Sequence, residues 1–318
     1  MQYSDSFPTL SIVLEWENAK SSELGRARDM LAMLIAQLKQ LSPRFRGPPE
    51  IILVYDSEDG AAESVLEQVK GEMTGFQGVI RALPTSGLDY YEQKNLGASE
   101  ARSDLILFLD SDVIPEEGWL ESLITALLEE DADVSGGCAH MPTGSFYEKS
   151  FAAFWFFPVR GEMPHREVYG AFAANNVLFK TNVAREHPFP KTDQIRGRCL
   201  VLARSLRETG HKIVMEPNAR VTHPAPNGFS HFVKRSLCDG QSQVLKRERT
   251  GPTLPFKQLY WNVKSSSARI LSTRQQVGLS PLGVAGAMGL ATAYYGISCV
   301  GELITIVKPN FIRDHVRV

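Results

Sequence analysis

The chain has 318 residues, of which 43% are hydrophobic and 22% charged, and its formal net charge is -2. This length and apolar content are enough for a sizeable core and exclude a disordered chain. Acids and bases are interspersed, so no nucleic-acid partner is expected. The four widely spaced cysteines indicate neither a disulfide framework nor a structural zinc site, and the first residues lack the features of a cleavable signal peptide.

The first half of the chain alternates short apolar runs with helical patterns. Strands are predicted at residues 10–16, 50–56, 78–83 and 104–110. Helices are predicted at residues 24–41, through Val65, Leu66 and Val69, and at residues 90–101. Another helix is predicted to start at Pro115, a favourable first helical residue, and to bury Trp119. Strands that alternate with helices predict a largely parallel sheet covered on both sides.

The region from residue 134 to residue 224 is less regular. Its predicted elements are a strand within residues 170–180, a helix at about 200–209 and two short strands at 212–216 and 219–223. A long amphipathic helix follows at about 229–246, and Gly and Pro then predict a linker at 248–256. We therefore place an α/β domain at residues 1–248 and C-terminal helices at residues 249–318.

Residues 282–300 form an apolar segment without a single charge, just long enough to span a bilayer. Basic residues flank it on both sides: Arg269, Arg274, Lys308, Arg313 and Arg317. Because cytoplasmic flanks carry an excess of Lys and Arg, this symmetry favours an in-plane or re-entrant element as much as a single span. A buried hairpin of a soluble protein is the alternative. Association with a membrane surface is the expectation.

Acidic residues follow three of the predicted strands, at the end where ligands bind in open α/β sheets. They are Glu15, Glu17, Asp56, Glu58, Asp59, Asp110 and Asp112. Asp110 and Asp112 point the same way if the strand continues past Leu109. Two convergent carboxylates favour Mg²⁺ or Mn²⁺, with phosphate oxygens completing the shell. In the alternative, one aspartate caps the next helix and the other is solvated.

Five segments resemble, in the same order, the GT-A domain of family 2 inverting glycosyltransferases. They are SIVLEWEN, EIILVYDSEDG, QKNLGASEARSDLILFLDSDVIPEEGWLESL, GAFAANNVLFK and SLRETGHKIVMEPNARVTHP. The third is the most specific, since an Asn-Leu-Gly helix, a buried strand, the D-x-D pair and a tryptophan-bearing helix share the family's spacing. The resemblance implies a GT-A, Rossmann-like mixed sheet flanked by helices, with a membrane-associated C-terminal helical segment. It also implies transfer of a sugar from a nucleoside-diphosphate sugar to a glycan or lipid-linked acceptor.

The resemblance implies a donor site built from residues at the strand ends. Glu15 would line the nucleotide pocket, and Asp56 would accept a hydrogen bond from the base. Lys94 and Asn95 would approach the donor, and Asp110 would face the ribose and the metal. Because nucleotide sugars are found in the cytosol, this domain is expected on the cytoplasmic face of a membrane.

The resemblance also implies a metal ion, Mg²⁺ or Mn²⁺, held by Asp110 and Asp112 beside the diphosphate. His223 matches a position that supplies a further ligand in some members. For His223, a packed or capping histidine is an equal alternative. A metal at this place would stabilise the charge that develops on the departing nucleoside diphosphate.

The sequence departs from the family where the general base is expected. An acid pair usually precedes the helix that here ends in SLRETG, and Arg198 and Cys199 stand in its place. Asp193 is the nearest replacement, His187 is a weaker one, and Cys199 is interpreted as a structural thiol.

This departure keeps two alternatives open. A catalytically weak or inactive relative could bind nucleotide sugar or a partner enzyme as a scaffold. A sugar-phosphate nucleotidyltransferase is disfavoured, because no glycine-rich basic loop follows the first strand to hold a triphosphate.

Overall fold

The computed structural model describes residues 6–21, 24–58, 67, 73–161, 165–168, 170–247 and 254–316. The helix predicted through Val65, Leu66 and Val69, like Asp59, lies outside the described residues. Contacts divide the chain into two units. The sheet unit comprises Met1–Ala139, Met163–Pro190 and Cys199–His223, and the helical unit comprises His140–Glu162, Lys191–Arg198 and Pro224–Val318.

The strands of the sheet unit form one mixed sheet. They are β1 (Leu10–Glu15), β2 (Glu50–Asp56), β3 (Val79–Thr85), β4 (Leu105–Asp110), β5 (Ile114–Pro115), β6 (Val134–His140), β7 (Glu167–Val168), β8 (Asn176–Lys180) and β9 (Ile213–Thr222). The strand order is β3-β2-β1-β4-β8-β6-β9-β5, and β7 pairs with β9. Neighbours from β3 to β4 are parallel, whereas β8 is antiparallel to β4 and β6. This arrangement confirms the predicted mixed α/β sheet.

The described helices follow in chain order. They are α1 (Glu17–Ser21), α2 (Leu24–Leu41), α3 (Tyr90–Glu100), α4 (Trp119–Glu129), α5 (Phe146–Phe154), α6 (Thr181–Glu186), α7 (Arg198–Glu208), α8 (Gly228–Arg247), α9 (Pro255–Thr273), α10 (Pro281–Val307) and α11 (Phe311–His315). A 3₁₀ turn at Ser42–Arg44 follows α2. Helices α5 and α8 to α11 belong to the helical unit.

Both faces of the sheet are covered, which explains the continuous apolar runs of its central strands. All six residues of β1 and of β4 are buried. On one face, Val13, Phe108 and Phe179 pack in a cluster with residues of α3, α6 and α7. Trp119 of α4 and Leu34 of α2 are also fully buried. The sheet unit therefore has a dry core that fixes the strand ends in place.

Two predictions from the sequence are wrong, and both involve proline. Pro115 does not start a helix: it lies in β5 opposite Val221, and α4 begins at Trp119 after Gly118, whose φ is 74°. As β5 is at the end of the strand order, the missing N–H of Pro115 costs no pairing on its outer side. The two short strands predicted at 212–216 and 219–223 are one strand, β9, because Pro217 lies between the residues paired with β7 and those paired with β5.

In the helical unit, α10 packs against α5, α8, α9 and α11. Two glycines allow the close approach of α8 and α10. A Cβ on Gly240 would lie 2.1 Å from the carbonyl oxygen of Ser298, and one on Gly301 would lie 2.5 Å from that of Leu237. The predicted apolar C-terminal helix is confirmed, and by length and composition α10 could cross a membrane. These contacts group α8 with the C-terminal helices, although the predicted boundary at residue 248 joins it to the α/β domain.

Candidate functional site

The carboxyl ends of β1, β2 and β4 meet at one edge of the sheet, because these strands are parallel neighbours. In the register, Glu15 of β1 lies opposite Asp110 of β4 and Val54 of β2. The Glu15 side chain is fully buried and Asp110 is only 4% exposed. The structure therefore brings together two residues of the predicted donor site. This region, with Glu15, Asp56, Asp110 and Asp112, is named the carboxyl edge below.

Both oxygens of the Asp110 carboxylate have partners within the chain. Oδ1 accepts a hydrogen bond from the Tyr90 hydroxyl at 2.7 Å and lies 2.8 Å from Nζ of Lys94. Oδ2 accepts one from the side-chain amide of Asn18 at 3.0 Å. Burial raises the pKa of Tyr90 well above its ordinary value, and the charge of Asp110 adds to the effect. The Tyr90 hydroxyl therefore keeps its proton and remains a donor to Asp110.

Lys94 is fully buried, with its ammonium group against Asp110. Its Nζ also lies 4.7 Å from the ring centre of Tyr90 and 5.9 Å from that of Phe108. An ammonium group without solvent is stable only beside opposite charge or electron-rich ring faces, and both surround Lys94 here. Lys94 is thus the internal counterion of the carboxyl edge.

Two features of α3 bring Lys94 to this position. A capping box fixes the start of the helix: the Asp89 side chain accepts from the N–H of Glu92, and the Glu92 side chain accepts from the N–H of Asp89. Further along, a Cβ on Gly97 would lie 2.3 Å from Cγ1 of Val13. Glycine is therefore needed for α3 to pack this closely on β1. This close packing is the physical reason for the Asn-Leu-Gly pattern noted in the sequence.

The Glu15 carboxylate holds the segment that follows β1. Its Oε2 accepts from the N–H of Glu17 at 2.9 Å, and its Oε1 accepts from the side-chain amide of Asn18 at 2.9 Å. Burial raises the pKa of Glu15 well above its ordinary value, and the negative charges of Asp110 and Asp112 raise it further, while Lys94 opposes the shift. Glu15 is therefore a carboxyl group that retains a proton far more readily than an exposed glutamate.

Asp112 lies in a turn. Strand β4 ends at Asp110, and the turn is closed by a hydrogen bond of 3.4 Å from the N–H of Val113 to the carbonyl of Asp110. The alternation of an extended strand, which the sequence analysis used to align the two aspartates, therefore does not reach Asp112. The Arg26 guanidinium fixes the turn instead, with Nε donating to the Asp112 carbonyl at 2.5 Å.

His223 is brought towards Asp112 by the same arginine. Nη2 of Arg26 donates to the carbonyl of Thr222 at 2.7 Å, and Thr222 lies opposite Ile114, two residues after Asp112. Asp112 and His223 are both buried. Among the described residues, no group of three or more His, Cys, Asp or Glu side chains is gathered closely enough to hold a metal ion. A carboxylate and an imidazole alone fit a cation that takes its other ligands from phosphate and water.

The other two predicted donor residues have different surroundings. Asp56 ends β2 opposite Thr85, is half-buried, and accepts from the N–H of Glu58 at 3.1 Å. Asn95 uses its amide on the main chain of Phe189: Nδ2 donates to the carbonyl and Oδ1 accepts from the N–H, each at 2.9 Å. Asn95 therefore fastens the segment after α6 to α3. Its contact with a donor stays a prediction, which these two bonds weaken.

The sequence profile described as "Glycosyl transferase family 2" matches residues 25–197, which is more than half of the chain. The chain belongs to glycosyl transferase family 2. This match confirms the resemblance drawn from the sequence.

Among solved structures, the mannosyltransferase PcManGT from Pyrobaculum calidifontis, in complex with GDP-Man and Mn²⁺, has a similar fold. The TM-score is 0.58 at 14% sequence identity, over 93% of this chain and 87% of that one. At this level of identity the likeness shows the fold alone, and it confirms the predicted GT-A architecture.

Curated relatives match a shorter part of the family 2 chain. Polypeptide N-acetylgalactosaminyltransferase 8 of Drosophila melanogaster is 29% identical over 127 residues, which are 40% of this chain and 20% of that protein. The inactive polypeptide N-acetylgalactosaminyltransferase-like protein 5 of Mus musculus is 32% identical over 129 residues, 40% of this chain and 28% of that protein. The matched segment therefore spans only 20% and 28% of the length of these two relatives.

The residues discussed as the family 2 general base lie in or near the segment before α7. Asp193 belongs to the helical unit, where its Oδ1 lies 2.6 Å from Nη1 of Arg313 and its carbonyl accepts from the Gln241 side chain at 3.1 Å. The Arg198 side chain donates to the carbonyl of Gln194 at 3.0 Å. Burial raises the pKa of the Cys199 thiol, in line with a structural role. Asp193 as base stays a prediction, and its carboxylate forms an ion pair with Arg313.

Three residues of the site were missed by the sequence analysis: Asn18, Arg26 and Tyr90. Asn18 bridges Glu15 and Asp110, and Tyr90 donates to Asp110. Arg26 joins the turn at Asp112 to the end of β9. Each contact links residues far apart in the chain or depends on side-chain direction, so apolar periodicity carries no signal for it.

Proposed function

We propose that this family 2 chain is a metal-dependent, inverting glycosyltransferase that moves a sugar from a nucleoside-diphosphate sugar to a hydroxyl of a glycan or lipid-linked acceptor. The observation that carries the proposal is the carboxyl edge. There, buried Lys94 and Asp110 form an ion pair next to the buried Glu15 carboxyl group, beside the turn that holds Asp112. A strand edge whose buried charges are paired within the protein, next to an acidic turn, suits the recognition of a nucleotide and a cation.

Asp112 and His223 are the residues that would hold Mg²⁺ or Mn²⁺. The role of Asp110 as a further metal ligand stays a prediction, because both of its oxygens have partners within the chain. Their oxygen and nitrogen donors fit such a cation, which in nucleotide sites keeps ligand positions for phosphate oxygens and water. When bound, the metal supplies positive charge to the departing diphosphate. The bound Mn²⁺ of the Pyrobaculum enzyme supports this choice of ion.

The other residues of the carboxyl edge position the donor. Lys94 keeps Asp110 paired, while Tyr90 and Asn18 fix both oxygens of that carboxylate. Asp110 therefore acts in the proposal through its place in the network, at the rim of the ribose site. Asp56, half-buried at the end of β2, is assigned to the nucleotide base.

Binding measurements test this proposal. Calorimetric titration with UDP- and GDP-sugars in the presence of Mn²⁺ should detect one donor, with binding lost on removal of the metal. Asp112→Ala should weaken the metal-dependent binding at least 10-fold. Asp131→Ala, whose side chain is 96% exposed, is the matched control and should bind like the wild type. Equal binding by Asp112→Ala and wild type would refute the metal site, and no binding of any nucleotide sugar would refute the function.

A second candidate is a relative that binds the nucleotide sugar, or a partner enzyme, without turnover. Arg198 and Cys199 at the place of the family's acid pair favour it, as does the similarity to a mouse protein described as inactive. Donor turnover with mixed glycan and polyprenol acceptors decides between the two. If Asp193 is the base, Asp193→Asn should lower the rate about 10²- to 10⁴-fold, while donor affinity stays unchanged.

We further propose that the protein lies at the cytoplasmic face of a membrane, and the surface of the helical unit supports its association with a membrane. On α9, Phe256, Tyr260 and Trp261 are exposed together with Lys257 and Lys264. Aromatic and basic side chains on one helix are typical of an element that lies in the membrane interface. Because α10 packs against four other helices, we place it in the plane of the interface rather than across the bilayer.

Flotation with anionic phosphatidylserine vesicles tests the membrane assignment. The wild type should float with the vesicles, and Tyr260→Ser with Trp261→Ser should reduce the bound fraction several-fold. Phe229→Ser, which removes an exposed aromatic residue of α8, is the control and should float normally. A wild-type protein that stays in the soluble fraction would contradict the assignment without touching the donor site.

A further inference from the structure

A second polar cluster lies in the sheet unit, formed by Asp133, His187 and His211. Oδ2 of Asp133 lies 3.1 Å from Nδ1 of His211. Nε2 of His211 lies 3.2 Å from Nε2 of His187, and the two rings are nearly perpendicular, at 75°. His187 is the C-cap residue of α6, and His211 precedes β9. Both histidines are partly exposed to solvent.

This cluster is at the opposite end of the sheet from the carboxyl edge. The N–H of Lys180, at the end of β8, donates to the carbonyl of Asp133, and Lys180 lies opposite Leu105, the first residue of β4. Asp110 ends the same strand, five residues further on. At about 3.3 Å per residue, the two places are about 16 Å apart along β4. The histidine pair is therefore no part of the donor site.

The partners of Asp133 set the tautomer of His211. The Asp133 carboxylate accepts from the N–H of Lys212 at 3.1 Å and from the Lys180 ammonium at 3.2 Å. Partial burial opposes ionisation, but these bonds and the one from His211 lower the pKa of Asp133. A carboxylate can only accept, so Nδ1 of His211 is the donor to Asp133, and the tautomer with this proton has a lone pair on Nε2. That lone pair points at the Nε2 atom of His187.

The separation of the two Nε2 atoms matches that of two ligands on one metal ion. Zinc lies 2.0–2.1 Å from imidazole nitrogen, so two tetrahedral ligands are about 3.3 Å apart. We propose that His187 and His211 bind a divalent transition-metal ion such as Zn²⁺, with Asp133 as the residue that orients His211. A histidine ligand that donates its other ring N–H to a carboxylate is the common arrangement in zinc sites.

The two sites differ in the ions that they select. Imidazole nitrogen favours Zn²⁺, Ni²⁺ and Cu²⁺, whereas the carboxyl edge offers the oxygen-rich surroundings of Mg²⁺ or Mn²⁺. The described residues gather no third His, Cys, Asp or Glu ligand at the pair, so water completes its shell. The positive charges of the nearby lysines are compensated by ion pairs. Lys180 pairs with Asp131 and Asp133, and Lys212 pairs with Glu130.

Zinc titration of the purified full chain, followed by calorimetry, tests the site. The wild type should show a binding step that His187→Ala and His211→Ala both lose. Asp133→Asn keeps both imidazoles and should bind Zn²⁺ about 10- to 100-fold more weakly. His165→Ala removes an exposed histidine elsewhere in the sheet unit and is the matched control, with unchanged affinity. Mg²⁺ should leave the step unaltered.

A spectroscopic measurement on the wild type covers the case in which a variant does not fold. One equivalent of Zn²⁺ should shift the ¹⁵N resonances of the His187 and His211 Nε2 atoms to metal-bound values. If both resonances stay in place, or if the two alanine variants bind zinc like the wild type, the pair only shares a proton and the proposal is wrong.

Discussion

Each end of the sheet has a carboxyl group near a lysine, but the pKa of that carboxyl group is shifted in opposite directions at the two ends. At the carboxyl edge, Glu15 is fully buried and has Asp110 as a neighbour, so its pKa is raised. At the other end, the Asp133 side chain is 24% exposed and receives three hydrogen bonds, so its pKa is lowered. Burial and like charge thus dominate at one end, and hydrogen bonding dominates at the other. Only the first end has an internal counterion that solvent cannot replace.

The largest effect is expected from Lys94→Met, which removes that counterion. Asp110 and Glu15 would remain buried without compensation, at a cost of about 3–5 kcal/mol in the free energy of unfolding. Urea unfolding followed by circular dichroism measures the loss. Lys257→Met, at an exposed lysine of α9, should leave the free energy unchanged. A Lys94→Met variant of wild-type stability would show that solvent compensates charge at this edge as well.

Gly97→Ala tests the close packing that brings Lys94 to Asp110. The new Cβ would meet Val13, and the overpacking should cost about 1–3 kcal/mol. Val13→Ala in the same chain should recover part of this loss. Gly289→Ala is the matched control, because a Cβ there meets nothing within 4 Å and should stabilise α10 by about 0.5–1 kcal/mol. Equal effects of the two changes would refute the packing role of Gly97.

Glu15→Gln tests how the free energy of unfolding depends on pH at the carboxyl edge, and it is measured on the metal-free protein. Because the folded-state pKa of Glu15 is raised, its contribution is present below about pH 4.5 and is lost as the pH rises through the folded value. The wild type should lose up to about 1.4 kcal/mol per pH unit in that window. The variant should show a flatter profile of unfolding free energy against pH. Parallel profiles would place Glu15 in contact with water.

Asp133→Asn should have the smallest effect on the free energy of unfolding, and the pH dependence that it removes should run in the direction opposite to that of Glu15. Its lowered pKa gives stability that is present above about pH 3.8 and lost as the pH falls through the folded value. Since the side chain is partly exposed, we expect a difference of less than about 1 kcal/mol at neutral pH. The wild type and the variant should converge on acidification. If the difference in unfolding free energy between wild type and variant grew at low pH, the lowered pKa of Asp133 would be contradicted.

Much of the carboxyl edge could be predicted from the sequence. The apolar runs gave β1, β2 and β4 with their acidic ends, and the rule for strand ends selected Glu15, Asp56, Asp110 and Asp112. Parallel pairing then places Glu15 opposite Asp110. Lys94 came from the family resemblance alone, because a lysine within a helix ordinarily indicates an exposed face.

The rest depends on contacts that no local pattern encodes. The turn after Asp110 removes the strand alternation on which the alignment of Asp112 was based. Asn95 resembles a donor residue by position, but its amide binds Phe189, 94 residues away in the chain. The histidine pair was missed for the same reason, since His187 and His211 lie 24 residues apart in the chain and meet only in the folded sheet unit. From the sequence, His187 is only a weak candidate for the general base.

The ion pair between Asp193 and Arg313 joins the segment before α7 to α11 within the helical unit. Arg313 and Gln241 both bind Asp193, the residue that we propose as the general base. Deleting α11 for convenience of expression would remove this ion pair, and the shortened enzyme would bind donor normally while turning it over at a different rate. Activity assays of variants without α11 would then report on the mobility of the segment that carries Asp193 and not on a direct role of the deleted residues.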